Sequence, residues 1–281
     1  MPGNKRTTIA ICGFGLIGGS MALDLQRSRR STAIYAWDKP SVLARLKHDK
    51  RFRIKSERTF AATVAGRDII ILSASHRANE MLLRRLARMK TVDNALILDT
   101  GAVKQPIVRV ANMLNLHGST QFLPSHPMAG REKKGFASAA KGLFAEHAWC
   151  FDDQVTLNNV NKARLDWLVR SLKATPFEVD AAQHDEIMAE ISHLPQLVST
   201  LLGAQVNANL IPLAGPGLKS MLRLAGSPWE VWSEIVAENR QEIVQSLRLF
   251  ERNLRHVTKL IENEQSLSDI FAAAARSYRC L

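Results

Sequence analysis

The sequence is poor in cysteine, in aromatic residues and in long apolar runs, and each shortage removes a class of protein. Only three cysteines occur in 281 residues, Cys12, Cys150 and Cys280. They are odd in number, far apart and without metal-ligand spacing. A disulfide scaffold or a zinc module is excluded, no bound metal is expected, and the reduced thiols suit a cytoplasmic protein. A bilayer takes about 20 consecutive apolar residues. The longest apolar run near the start, residues 9–21, is shorter than that and is broken by Gly13, Gly15, Gly18 and Gly19. Lys5 and Arg6 precede it, but no small-residue cleavage site follows, so it reads as a strand and not as an export signal. No membrane partner is expected. Internal repeats and low-complexity tracts are missing too, and with 46% apolar and 23% charged residues the chain has the composition of a folded globular protein.

Acidic residues are the minority charge, 26 against 38 Lys and Arg, which leaves a formal net charge of +12. Arg27, Arg29, Arg30, Arg84, Arg85 and Arg88 are typical of the positives. They spread along helical stretches without interleaved aromatics, so nucleic acid is not an expected partner. A field of this sign attracts a small polyanionic substrate or a phosphate-bearing cofactor.

At about 150 residues per domain, the length predicts two domains. Strand patterns at 7–12, 33–37, 68–73 and 95–99 alternate with helical ones, including 79–89 and 106–114, and a short strand ends near Pro124. This is the signature of a parallel sheet with right-handed crossovers. A helix at 161–173 and an extended stretch at 176–179 follow, after which strand signals stop. The expected division is 1–180 for a dinucleotide-binding domain and 181–281 for a helical substrate and dimerisation domain. Residues 184–202 read as one helical segment interrupted by Pro195. A long helix is expected over 229–263, opened by Ser227, Pro228 and Glu230 in cap, first-turn and third positions. Val236, Ile243, Phe250 and Val257 recur seven apart along it, with Leu247, Leu254 and Ile261 between. At 1.5 Å per residue it would be about 50 Å long. That is more apolar stripe than a small domain covers, so a second copy of the chain is the expected partner, as a homodimer. No feedback domain is expected beyond it.

The first strand runs into Gly13-Phe14-Gly15-Leu16-Ile17-Gly18, and Asp38 ends the next strand. Gly13 serves the tight turn, Gly15 lets backbone approach a pyrophosphate and Gly18 permits close packing, while the helix that follows offers N–H groups to phosphate. Asp38 suits a ribose 2′-hydroxyl and repels a 2′-phosphate, so NAD is preferred over NADP despite the adjacent Lys39. Ser73, closing the third strand, is taken as a further cofactor contact.

GFGLIGGS at 13–20, DTGAVK at 99–104, HPMAGREKKGF at 126–136 and HDEIMAEISHLP at 184–195 together resemble the prephenate and arogenate dehydrogenases. The likeness extends through Ala139, Leu143, Phe144 and Trp149 and covers nearly the whole chain. It implies an α/β protein with an N-terminal Rossmann-type, doubly wound sheet and an all-helical C-terminal dimerisation domain. The implied activity is NAD-dependent oxidative decarboxylation of a cyclohexadienyl carboxylate, prephenate or arogenate, in tyrosine biosynthesis. In that reaction a ring carbinol carbon gives up hydride to the nicotinamide while the ring loses carbon dioxide and becomes aromatic. By the same resemblance His126 is the catalytic base, a role open to neutral imidazole at cellular pH.

Arg223, in the segment 217–226, corresponds to the family's substrate-binding arginine, although Ser220 and Leu222 replace acidic and hydroxyl residues common there. His184 is placed on the substrate side and His193 in a structural or interface role, since a straight helix sets the two about 180° apart. Ala102 and Gln196 stand on the substrate side where the family often has serine and histidine. His48, His76, His117, His147 and His256 read as surface or loop residues. The same chemistry on an amino analogue such as 4-amino-4-deoxyprephenate, and a weakly active nucleotide-binding regulator, are the alternatives.

Overall fold

The computed structural model describes residues 7–27, 32–130 and 135–280. Lys5, Arg6, Arg29, Arg30 and residues 131–134 of the histidine motif lie outside the described residues. Strands β1 (Thr7–Cys12), β2 (Thr32–Trp37), β3 (Ile69–Leu72), β4 (Leu96–Asp99) and β5 (Gln121–Leu123) form a parallel sheet in the order β2-β1-β3-β4-β5. Their side chains alternate between two cores. Ile9, Ile11, Ile69, Ile71, Leu96 and Leu98 enter one, and Ala10, Cys12, Ile70, Leu72 and Ile97 enter the other. Burial on both faces makes these strands unbroken apolar runs, and it requires helices on both sides.

The helices of this part are α1 (Leu16–Leu25), α2 (Pro40–His48), α3 (Phe60–Val64), α4 (His76–Ala87), α5 (Gln105–Asn112) and α6 (Asn159–Leu172). Met21, Leu25, Leu168 and Leu172 bring α1 and α6 onto the first face, while Leu82, Leu86, Ile107 and Val110 bring α4 and α5 onto the second. The order reverses between β1 and β3, which opens a crevice at the carboxyl edge of the sheet. The short helices α2 and α3 have no long periodic pattern. One starts at Pro40, and the other is capped by Thr59, whose hydroxyl accepts from the Ala62 N–H at 3.1 Å.

A second, three-stranded sheet follows. β6 (Ser125–Pro127) pairs antiparallel with β7 (Ala148–Phe151), which pairs parallel with β8 (Thr175–Glu178). Trp149 is fully buried between Phe144 and Phe151. The register sets His126 opposite Cys150.

The helical part comprises α7 (Ala181–Met188), a π-helical turn (Ala189–His193), α8 (Leu194–Gln205), α9 (Pro216–Leu222), α10 (Trp229–Glu238), α11 (Arg240–Glu262) and α12 (Ser268–Tyr278). Asp180 caps α7 by accepting from the Ala182 and Gln183 N–H groups at 2.9 and 3.0 Å. The π turn falls just ahead of Pro195, which has no N–H to return to the carbonyl four residues back, so the ladder widens there.

The single helix expected over 229–263 is two helices. Asn239, only 3% exposed, takes φ −104° and ψ 28° between them, and its side-chain amide donates to the Asp185 carbonyl at 2.8 Å. A buried amide must be hydrogen-bonded, and here the bond is tertiary. Backbone bonds from Asn239 N to Ile235 O (2.9 Å) and from Ile243 N to Asn239 O (3.1 Å) carry across, so the chain bends without parting. The cap residue is Pro228, one position later than Ser227. Helix α12 went unanticipated because its apolar pattern is short. Among the described residues no helix is long and apolar enough to cross a membrane.

Candidate active site

At the carboxyl edge of β1, Gly13 has φ +98°, and a Cβ there would stand 2.4 Å from Ala74 N. A Cβ on Gly18 would stand 2.3 Å from the Gly13 carbonyl oxygen and 2.7 Å from Ser73 Oγ. The turn is therefore closed on its protein side. Gly15 has nothing within 4 Å of an added Cβ, so its backbone borders open space. No side chain caps α1 at Gly15, which leaves helix N–H groups at Leu16 and Ile17 for an anion. Phe14 is buried edge-on against Phe52, and its N–H donates to Asp38 Oδ2 at 2.5 Å. Asp38 Oδ1 accepts from the Lys39 N–H at 2.6 Å. Ser73 Oγ donates to the Gly13 carbonyl at 2.6 Å, so it braces the turn. Gly13, Gly15, Ile17, Asp38, Ser73, Thr100, Gly101 and Ala102 border one cavity of 780 Å³, which Glu230, Val231, Glu234 and Ile235 close from the helical part. The closed turn, the open Gly15 and the uncapped helix fit a dinucleotide pyrophosphate, and Asp38 lies where a ribose would be read.

Next to this cavity, beneath β6, sits a buried polar cluster. Lys104 Nζ pairs with Asp99 Oδ2 and donates to the Ser125 carbonyl, and Asp99 Oδ1 accepts from Ser125 N at 3.0 Å. Ser125 Oγ donates to the Asp99 carbonyl at 2.6 Å. Each member is bonded, so the cluster fixes β6 without leaving a buried charge unpaired.

His126 projects from β6, half-buried. Its Nδ1 lies 3.1 Å from His184 Nε2, the rings are 5.3 Å apart at 68°, and His184 Nδ1 lies 2.8 Å from Asp185 Oδ1. Asp185, fully buried, also accepts from the backbone N–H groups of Lys104 (2.7 Å) and Gln105 (2.9 Å). These bonds set the tautomers. The Asp185 oxygens are acceptors, so His184 carries its proton on Nδ1 and presents a lone pair at Nε2, which accepts a hydrogen bond from the His126 Nδ1–H. The lone pair of His126 then stands on Nε2. Burial holds the His126 pKa well below 6.5, with His184 and Lys104 adding to the effect, so the ring is a neutral acceptor at cellular pH.

The expected substrate-side residues are placed unevenly. His184 is buried against His126, with both of its ring nitrogens engaged, by His126 Nδ1 and Asp185 Oδ1. The π turn lets both His184 and His193 be buried. His193 Nδ1 lies 3.2 Å from Asn239 Nδ2 and its ring packs edge-on against Trp232, so it joins α8 to the α10–α11 bend. Burial pushes its pKa down to about 4. Gln196 is buried and donates both amide hydrogens, to the Leu224 carbonyl (2.8 Å) and Thr200 Oγ1 (3.2 Å). With Ser199, which donates to the Met221 carbonyl at 2.6 Å, it fastens the segment that carries Arg223. Arg223 is exposed at the end of α9. Ala102 is half-buried on the cavity wall.

His76 is not a surface residue. It begins α4, borders the cavity, and lies 2.8 Å from Glu238 Oε2 through Nδ1. Asp185, Lys104, Asn239 and His76 were absent from the sequence-derived site. The DTGAVK and HDE motifs contain the first two, whereas His76 and Asn239 have no local signal.

A glycine turn opening a helix and a neutral histidine share one crevice between a parallel sheet and a helical cover, the arrangement of a nucleotide-dependent dehydrogenase. Two family models match the chain, the prephenate dehydrogenase nucleotide-binding domain at residues 21–175 and the prephenate dehydrogenase dimerization domain at 180–273. The chain belongs to the prephenate dehydrogenase family. Prephenate dehydrogenase of Lactococcus lactis is 28% identical over 266 residues, 92% of this chain and 72% of that one. The Bacillus subtilis enzyme is 27% identical over 272 residues, 93% and 72%. Among solved structures, prephenate dehydrogenase from A. aeolicus in complex with hydroxyphenyl propionate and NAD+ superposes with a TM-score of 0.83 at 22% identity, covering 98% of both chains. Synechocystis arogenate dehydrogenase gives 0.75 at 21%, covering 97% of this chain and 98% of that one.

Proposed function

We propose that the protein oxidises prephenate or arogenate with NAD, as a dehydrogenase of tyrosine biosynthesis. The observation that carries this reading is the bonded chain Asp185–His184–His126, which ends in a lone pair on His126 Nε2. Bound NAD supplies the hydride acceptor. His126 Nε2 takes the proton of the ring hydroxyl as the ring carbon loses hydride, the carboxylate leaves as carbon dioxide with its bonding electrons aromatising the ring, and the proton returns from His126 to the phenolate oxygen. His184 and Asp185 hold the ring of His126 in orientation and stabilise the imidazolium that forms. Arg223 holds a substrate carboxylate, and Gln196 sets the segment that presents it. Gly13, Phe14, Gly15, Leu16, Ile17 and Gly18 cradle the pyrophosphate, with Ser73 as brace and Asp38 on the ribose.

Two further readings follow from the same features. We place the boundary between the units at 180/181, where Asp180 caps α7. We also infer a homodimer, because Leu247, Phe250, Leu254 and Ile261 on α11 are 37 to 59% exposed and form one apolar stripe, and a cytoplasmic location, in keeping with the free thiols of Cys12, Cys150 and Cys280. A second copy covers that stripe.

The test is NADH absorbance with prephenate, arogenate and 4-amino-4-deoxyprephenate in turn. Turnover of prephenate or arogenate at the higher kcat/KM is the expected result. A preference for the amino analogue would assign the pocket to a different ring substituent, consistent with Ala102 and Gln196. No turnover of any of the three would leave a nucleotide-binding regulator.

A further inference from the structure

Ser75, which precedes α4, makes no side-chain cap; instead Glu234 of α10 accepts the His76 N–H at 2.8 Å. A carboxylate from the helical part thus caps a helix of the nucleotide part and sits at its positive end. The His76 ring adds two more links. Its Nε2 accepts the Ala102 N–H at 3.2 Å, and its Nδ1 stands 2.8 Å from Glu238 Oε2, an ion-pair distance without hydrogen-bond alignment. Both side chains are largely enclosed, 13% and 16% exposed. Glycine at residue 101 leaves the ring room, since a Cβ there would stand 2.9 Å from Asp99 Oδ2 and 3.1 Å from His76 Cε1. Around it lie Glu80 of its own helix, Glu234 and Glu238 of α10, and Arg84 and Arg109, while Lys104, His126 and His193 lie further along the same crevice. Burial and the Glu238 charge raise the Glu80 pKa, which marks how closely these carboxylates are drawn together.

The turn that His76 grips has two ends. Thr100, Gly101 and Ala102 border the nucleotide cavity, and two residues on, the Lys104 and Gln105 N–H groups hold Asp185. We propose that His76 is a positioning residue, a clamp between α10 and the Gly101–Ala102 turn that couples closure of the helical part over the cavity to the placement of Asp185 and, through it, His126. It acts through backbone and not on the substrate. In this chain residue 102 has no hydroxyl, and the turn is steadied from His76 through its N–H.

Three substitutions separate the links. His76→Gln sets a carbonyl oxygen near the Nε2 position and keeps an acceptor for Ala102. His76→Asn sets an amide near Nδ1, which keeps a polar group beside Glu238 but falls short of Ala102. His76→Phe keeps the bulk over Gly101 and neither polar contact. Hydrogen exchange of the 97–107 segment in the resting protein should quicken in the Asn and Phe variants and stay near the parent in Gln. The kinetic half rests on the dehydrogenase reading: kcat with prephenate should fall about tenfold in Asn and Phe and no more than about threefold in Gln, as one lost hydrogen bond warrants. NADH affinity, read by nucleotide fluorescence, should shift less than about threefold in all three. Equal exchange in all variants, or an equal kcat loss in Gln and Asn, would overturn the clamp. So would a loss confined to NADH binding, which would make His76 a nucleotide contact. If the Phe variant does not fold, the Gln–Asn pair decides. If the parent oxidises none of the substrates, the exchange result alone decides, and the failure belongs to the functional reading.

Discussion

Acidification should destabilise this protein through His193. The imidazole is 1% exposed, bonded to Asn239 and covered by Trp232, and its pKa falls from 6.5 to about 4 chiefly through desolvation, with Asp185 opposing. A folded-state pKa below the unfolded value means that the unfolded chain takes up the proton first. Stability is therefore complete above about pH 6.5 and is lost as the pH falls toward 4. For one such site the loss is about 2 kcal/mol by pH 5 and about 3 kcal/mol by pH 4. The comparison is with His193→Asn, which keeps a carbonyl oxygen near the Nδ1 position for Asn239 but cannot titrate. His126 shifts in the same direction in both proteins and cancels. Urea unfolding at fixed protein concentration, run at pH 8 and pH 5, should show the parent losing about 2 kcal/mol more than the variant, even if the variant is less stable at pH 8. Parallel stability curves for the two proteins would refute the reasoning, since His193 would then titrate alike in both states.

His126→Asn should lower kcat by about 10² to 10⁴ while NADH affinity, by fluorescence titration, barely moves. Asp185→Asn sets an amide N–H against the Lys104 or Gln105 N–H, so thermal unfolding should reveal a loss of roughly 3 kcal/mol, and kcat should fall with it as His184 loses its anchor. Asp38→Ser should relax discrimination against NADP, seen as a rise in kcat/KM with that cofactor; a parent that already prefers NADP would contradict the role given to Asp38. Arg223→Ala should raise KM for substrate about ten- to a hundredfold through loss of a charge-assisted contact, with NAD kinetics little changed.

The sheet and its glycine turn were legible because their causes are local. β-branched runs, a turn that only glycine enters and an acid one strand later are written in neighbouring residues, and His126 was marked by its motif. The bend at Asn239 was not legible. The seven-residue apolar pattern runs through 236, 243, 250 and 257 without interruption, and what breaks the helix is a bond to Asp185, 54 residues away. The π turn at Ala189–His193 was not legible either, because a straight-helix rotation sets His184 and His193 on opposite faces, and the turn between them re-aims His193, so that both are buried. His76 carries no pattern at all, and its partners Ala102, Glu234 and Glu238 lie 26 to 162 positions further along. Short-range chemistry shows in a sequence, whereas bonds between distant buried polar groups show only once the fold has closed.

The same long-range bonds explain why the orientation of His126 needs both parts of the chain. His126 comes from the small sheet of the nucleotide part and His184 with Asp185 from α7, yet Asp185 is held by N–H groups at the start of α5, back in the nucleotide part. The path leaves one part, enters the other and returns. Asn239 ties the Asp185 carbonyl to the α10–α11 bend, and α10 carries the two glutamates that meet His76 at the cavity rim. A displacement of α10 thus reaches Asp185 by two routes, through Asn239 and through the Gly101–Ala102 turn. Orientation of His126 is in this sense a property of the closed interface, and an isolated nucleotide part would retain the cradle for NAD but leave His126 Nδ1 without the partner that directs its lone pair.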